Sequence, residues 1–201
     1  MRIVPLLLIT ACATSPTESS PPDPNTLRGD LAAGVHLAIT GSGSVAAKEK
    51  SGSGWSEGDV PLAITGGALA ASAYDDTLVV DAATADFGPI AIPSSVIGGD
   101  ASLTNVRLRL AQPTSLPLAW QDDDHASVTA KVDLVLDWSL TANGGTAPLG
   151  PQPLSGVPVT ITLARDGAVT ASAELTQTGM VWMWADVIEL DNLALRLDAG
   201  N

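Results

Sequence analysis

Val128-Thr-Ala-Lys-Val-Asp-Leu-Val-Leu-Asp-Trp-Ser-Leu140 is the stretch that sets the fold class. Val128, Ala130, Val132, Leu134, Leu136, Trp138 and Leu140 fall on one face, and Lys131, Asp133 and Asp137 on the other. A period of two marks a strand with one buried face, because successive side chains point to opposite sides. At about 3.3 Å per residue the run is roughly 40 Å long, well beyond the common strand, so it needs long partners. Two candidates follow at 157–165 and 168–177. They are joined by Asp166-Gly167, a pair that suits a type I′ hairpin turn because both residues accept positive φ.

Working outward, Val35, Leu37 and Ile39 alternate with His36, Ala38 and Thr40 until Gly41-Ser-Gly-Ser44, which is expected to stop the strand. Residues 46–59 are Gly/Ser-rich and charged, as a loop would be, and Val60, Leu62 and Ile64 resume the alternation. Short strands are expected at 78–81, 87–92, 180–185 and 193–198. Pro89 and Pro93 place the second of these at an edge. Val106, Leu108 and Leu110 oppose Arg107 and Arg109 in another.

Two phrases recur. Leu37-Ala-Ile-Thr-Gly41 returns at Leu62–Gly66, which suggests two equivalent edges of one sheet. Leu103-Thr-Asn-Val-Arg-Leu-Arg-Leu110 is echoed by Leu190-Asp-Asn-Leu-Ala-Leu-Arg-Leu197. Their spacings differ, so no solenoid repeat is established. No segment from residue 27 on has helical periodicity over more than two turns. The expectation is an all-β, antiparallel single domain over 27–201, either a β-sandwich or a curled sheet.

The chain opens Met1-Arg-Ile-Val-Pro-Leu-Leu-Leu-Ile-Thr-Ala-Cys12. One basic residue precedes a short apolar run and then small residues, the layout of a secretory signal. The run is too short to span a bilayer, which takes about 20 apolar residues. Ile9-Thr10-Ala11-Cys12 resembles the lipobox of bacterial lipoproteins. That resemblance implies cleavage between Ala11 and Cys12 and acylation of Cys12, the only cysteine. Residues 1–11 then form a signal peptide. Ala13, in place of the aspartate that retains lipoproteins at the inner membrane, points to the outer membrane. Residues 12–26 are Ser/Thr/Pro-rich and read as a tether of roughly 40 Å at about 3.1 Å per residue.

Net charge is −13, and removal of Arg2 makes it −14. Such a surface repels phosphate backbones and anionic headgroups, which argues against nucleic acid and leaves the lipid on Cys12 as the membrane attachment. One Tyr and one Phe beside five Trp supply few of the aromatic girdles that a membrane-spanning barrel uses.

The search for chemistry yields no catalytic residue and no cofactor site. A Gly-x-Ser-x-Gly elbow is absent, and only His36 and His125 could serve as imidazole bases. Cys12 is committed to the anchor, so zinc has no ligand pair. Asp122-Asp123-Asp124-His125 concentrates carboxylates as a calcium loop does, but lacks the alternating ligand spacing; a solvated loop is expected. Trp182 and Trp184 share a strand face and could stack on a ligand, although core packing is the simpler role.

The functional expectation is a membrane-anchored, non-enzymatic envelope lipoprotein whose β-domain is structural or binds an envelope protein. The alternative is a carrier for lipid or another hydrophobic ligand. Asn105-Val-Arg-Leu-Arg-Leu110 is similar to strands in the curled sheets of bacterial lipid-transfer proteins, a likeness that covers two short strands.

Overall fold

Each long strand of this chain lies beside the one that precedes it, and the last returns to the first. The computed structural model describes residues 21–51, 54–92, 101–142, 144–184 and 188–200. A short helix, α1 (Leu27–Ala33), precedes β1 (Val35–Ser51), β2 (Gly54–Tyr74), β3 (Thr77–Phe87), β4 (Ile90–Ile92), β5 (Ala101–Leu110), β6 (Thr114–Pro117) and β7 (Ala119–Trp120). Then come β8 (His125–Ala142), β9 (Gly145–Pro148), β10 (Gln152–Asp166), β11 (Ala168–Trp184) and β12 (Ile188–Gly200).

Neighbouring strands are all antiparallel, in the circular order β1-β2-β3-β5-β8-β10-β11-β12. The remaining short strands extend broken members of that circle. Thus β4 follows β3 beyond Gly88-Pro89 and pairs with β5, while β6 continues β5 along β3. In the same way β7 and β9 pair with the two ends of β8. Closure comes from β1 pairing β12, from Ala38 opposite Gly200 to Glu49 opposite Ile188. The expected sandwich or curled sheet is therefore corrected to a closed, eight-stranded up-and-down barrel. Alternation alone could not decide this, since one apolar face can be covered by a second sheet or by the same sheet curled onto itself.

The apolar face of 128–140 points into the barrel, with Val128, Val132, Leu134, Leu136 and Trp138 buried. Gly41–Ser44 does not stop β1, and the described part of 46–59 is strand, not loop: β1 and β2 pair out to Ser51 opposite Gly54, with one register shift between Ala38 and Ser42. Glycine bends the strand instead of ending it. A Cβ on Gly41 would lie 2.2 Å from the Arg196 carbonyl oxygen, and one on Gly67 would lie 2.2 Å from that of Thr84. The two Leu-Ala-Ile-Thr-Gly phrases thus lie within adjacent barrel strands, not at sheet edges. The first ends on a close approach at Gly41, whereas in the second the close approach falls one residue later, at Gly67, since Gly66 faces open space. At the β10–β11 turn the register pairs Asp166 with Ala168, and only Gly167 has positive φ (+75°). This corrects the type I′ expectation, which needs two such residues; a turn centred on one glycine needs one.

The second echo has a conformational cause. Asn105 (φ 53°) and Asn192 (φ 49°) are both left-handed, and each stands between buried residues three apart, Leu103/Val106 and Leu190/Leu193. Each supplies the extra residue of a β-bulge, where pairing slips between Thr104 and Arg107 or between Ser44 and Ala46 opposite Asn192. Asparagine tolerates this conformation better than any branched residue, and bulges let strands coil tightly enough to close. Near the second bulge Lys48 Nζ of β1 lies 2.7 Å from Asp191 Oδ2 of β12. The Asp191 carboxylate raises the Lys48 ammonium above its ordinary value. Its contribution is present below the ordinary lysine pKa and is lost as pH rises through the raised one.

Asn105→Gly and Asn192→Gly are expected to leave urea midpoints nearly unchanged, whereas Asn105→Val should cost about 1–2 kcal/mol through left-handed strain. Equal midpoints for Asn105→Val and the parent would contradict the bulge assignment.

Candidate functional site

Helix α1 closes one end of the barrel. Seven residues cannot hold a helix in water, so packing decides. Leu27 and Leu31 are fully buried beneath it, at roughly 1.5–3 kcal/mol each. Thr26 caps the helix, its Oγ1 accepting from Gly29 N. The acidic run 122–124 completes the docking. Asp124 Oδ1 accepts from Leu27 N at 3.1 Å, the Asp123 carbonyl accepts from Arg28 N, and the Asp123 carboxylate pairs with the Arg28 guanidinium. Arg28 also stacks over Trp120, 4.1 Å from the ring centre, and Asp30 pairs with Arg165 at 2.7 Å. Carboxylates gathered at a helix start are stabilised by its free N–H groups.

Asp122 shapes that loop by accepting from Asp124 N, and it binds His125 Nδ1 at 2.9 Å. The His125 imidazole, then the Asp124 amide, holds the Asp122 carboxyl below its ordinary value. Among the described residues no cluster of three or more His, Cys, Asp or Glu side chains is arranged to hold a metal ion. His36 is exposed on the outer face of β1.

The opposite end is filled by aromatic packing. Trp182 is buried against Trp138, their rings 5.0 Å apart and inclined at 65°. Val181 is buried as well, because the pairing of β11 with β12 slips between Met180 and Trp182. The Trp184 side chain lies outside the described residues, as do Ala11 and Cys12.

Between these ends lies an apolar chamber of about 90 Å³ walled by all eight strands. It exists because β3, β11 and β12 turn Ala83, Ala85, Ala171, Ala173 and Ala199 inward where other strands present Leu108, Val132, Leu134, Val159 and Ile161. Eight strands leave an interior that side chains just fill or that holds one small ligand. Left empty, a void of this size costs about 2 kcal/mol at roughly 24 cal/mol per Å³. The alanines carry no sequence signal that separates them from outward alanines such as Ala38.

The outer face is of opposite character. Lys131, Asp133, Glu174 and Arg196 are exposed there, and Arg107 and Arg109 pair across strands with Asp86 and Asp137. Such exposed pairs add little stability, about 0–1 kcal/mol each. In hydrocarbon, however, an outward Arg or Lys near mid-barrel would cost roughly 2–4 kcal/mol. This wall suits water, not lipid.

No protein-family model matches the chain, and no curated protein does. Among solved structures the chain is similar to the crystal structure of Ail, the attachment invasion locus protein of Yersinia pestis, in complex with the heparin analogue sucrose octasulfate. Identity is 9% and the TM-score 0.46, over 84% of this chain and 99% of that one. A second Ail crystal structure aligns at 8% identity and TM-score 0.42, over 83% and 97%.

Asp124→Ala should destabilise the protein by about 1 kcal/mol and speed amide exchange in Leu27–Ala33 with little change in central strands. The depressed Asp122 carboxyl contributes stability above the ordinary aspartate pKa, lost as pH falls through its lowered value. Exchange of the helix amides, corrected for intrinsic rates, should therefore rise below about pH 4. His125→Ala should reduce that rise; an unchanged profile would show that the Asp122–His125 contact does not govern helix docking.

Proposed function

We propose that this chain is a non-enzymatic lipoprotein of the bacterial envelope, held at the outer membrane by lipidated Cys12 and presenting its barrel to water as an interaction module. The observation that carries this reading is the charged outer wall around an apolar interior. A barrel of that polarity needs a separate anchor to reside at a membrane, and the Ile9–Cys12 lipobox with the tether to residue 26 supplies one. The acidic–imidazole run 122–125 serves structure in this reading: His125 is held by Asp122, and Asp123 and Asp124 are occupied with α1.

The partner is proposed to be an envelope protein with neutral or basic contact surface. Ail holds a polysulfated ligand in one of its structures, but a surface of net charge −13 is the wrong sign for a polyanion here. A carrier for a hydrophobic ligand is the second reading, favoured by the chamber between α1 and the Trp138–Trp182 pair.

Cys12→Ser tests the anchor and the barrel's polarity together. The variant is expected to leave the membrane fraction and remain a folded β-protein in detergent-free buffer. Sedimentation with membranes would remove lipidation as the anchor. Release followed by aggregation without detergent would instead refute a water-facing wall.

A further inference from the structure

We infer that the central chamber is a binding site for the end of an alkyl chain, entered from the side of the barrel between β6 and β8. This rests on the carrier reading and gives it a location, a doorway and a ligand chemistry. The chamber wall is almost wholly apolar, and a dry apolar cavity takes up apolar molecules in preference to water. Ala171, Ala173 and Leu175 of β11 all border it, so it follows about five residues of strand, roughly 13 Å at about 3.3 Å per step. About 90 Å³ drawn out over that length is narrow, which fits a linear chain better than a ring.

The doorway follows from two prolines. β5, β6 and β7 form one fractured strand between β3 and β8. Its β5 part pairs with β8 up to Leu110 opposite Leu134, and its β7 part pairs again at Ala119 opposite Ser127. Between them β6 pairs with β3 but has no ladder to β8; the Ala111 N–H donated to the Asp133 carbonyl ends the upper pairing. Pro113 and Pro117 flank this gap and have no N–H with which to close it. Thr114 and Leu116 on one side of the seam and Val132 on the other also border the chamber. The weakest line of the wall thus lies directly over the cavity, and the Thr114 hydroxyl there suits a chain whose polar end stays outside.

The test is methyl NMR of the full chain carrying Cys12→Ser, titrated separately with n-octanol and with xenon. Saturable octanol shifts are expected at Ile161, Leu197 and Ala173. Ala173→Leu, which fills the chamber, should weaken octanol at least tenfold with the amide spectrum preserved. Should that variant fail to fold, Ile161→Ala enlarges the chamber instead, and tighter octanol binding is expected. Xenon shifts without octanol shifts would overturn the inference, leaving a sealed void. Silence toward both would overturn it as well. Organic extraction of protein purified from cells separates the two levels. Lipid that co-purifies while the chamber methyls stay silent defeats this site but keeps the carrier reading; no lipid and no octanol binding defeats both.

Discussion

Pairing of the first strand with the last is the constraint from which the rest follows. Eleven residue pairs join β1 to β12, from Ala38–Gly200 to Glu49–Ile188, across almost the whole length of the domain. Open, a meander of this length would expose two strand edges and leave its apolar face uncovered. Closed, it has neither problem, because each barrel strand finds neighbours on both sides and the apolar face becomes an interior. The cost is curvature, met where Gly41, Gly43 and Gly67 let backbones approach and where Asn105 and Asn192 take up bulges.

Closure also divides the chemistry of the chain. Most large apolar side chains are committed to the inside, with Tyr74, Met180 and Met183 the large ones left exposed among the described residues. Charge is left to the wall, so polar chemistry gathers at the barrel ends and outer face. At one end it serves architecture. Asp123 and Asp124 hold the start of α1, Asp30 and Arg165 fix its side, and Leu27 and Leu31 act as the stopper. At the other end the Trp138–Trp182 pair packs the interior. What remains is the middle, where alanine on three strands leaves space that leucine would have occupied.

That arrangement gives the proposed anchor its physical sense. A barrel whose outward residues include Arg107, Arg109, Lys131 and Arg196 gains nothing from entering lipid. In the proposed reading, membrane residence would depend on acyl chains at Cys12, and the Pro-rich segment after it would set how far from the surface the wall can meet a partner.

The strand content is legible residue by residue, because in/out alternation is a local property, as it is over 128–140, 106–110 and 35–39. The Ile9–Cys12 lipobox resemblance is likewise a contiguous pattern, but it lies outside the described residues and remains a proposal. Even the bulges left a trace, as the shared Leu-x-Asn phrase, since a left-handed position limits which residue can stand there. Helix α1 left none, because seven residues carry too little periodicity and their stability comes from contacts with residues about 100 positions away, Asp123 and Asp124. The role of the 122–124 run was hidden with it. Tertiary structure alone decided barrel over sandwich, the burial of Trp182 beside Trp138, and the chamber. Each depends on which strand lies across the interior, and alternation along one strand states that a face is buried without stating what it is buried against.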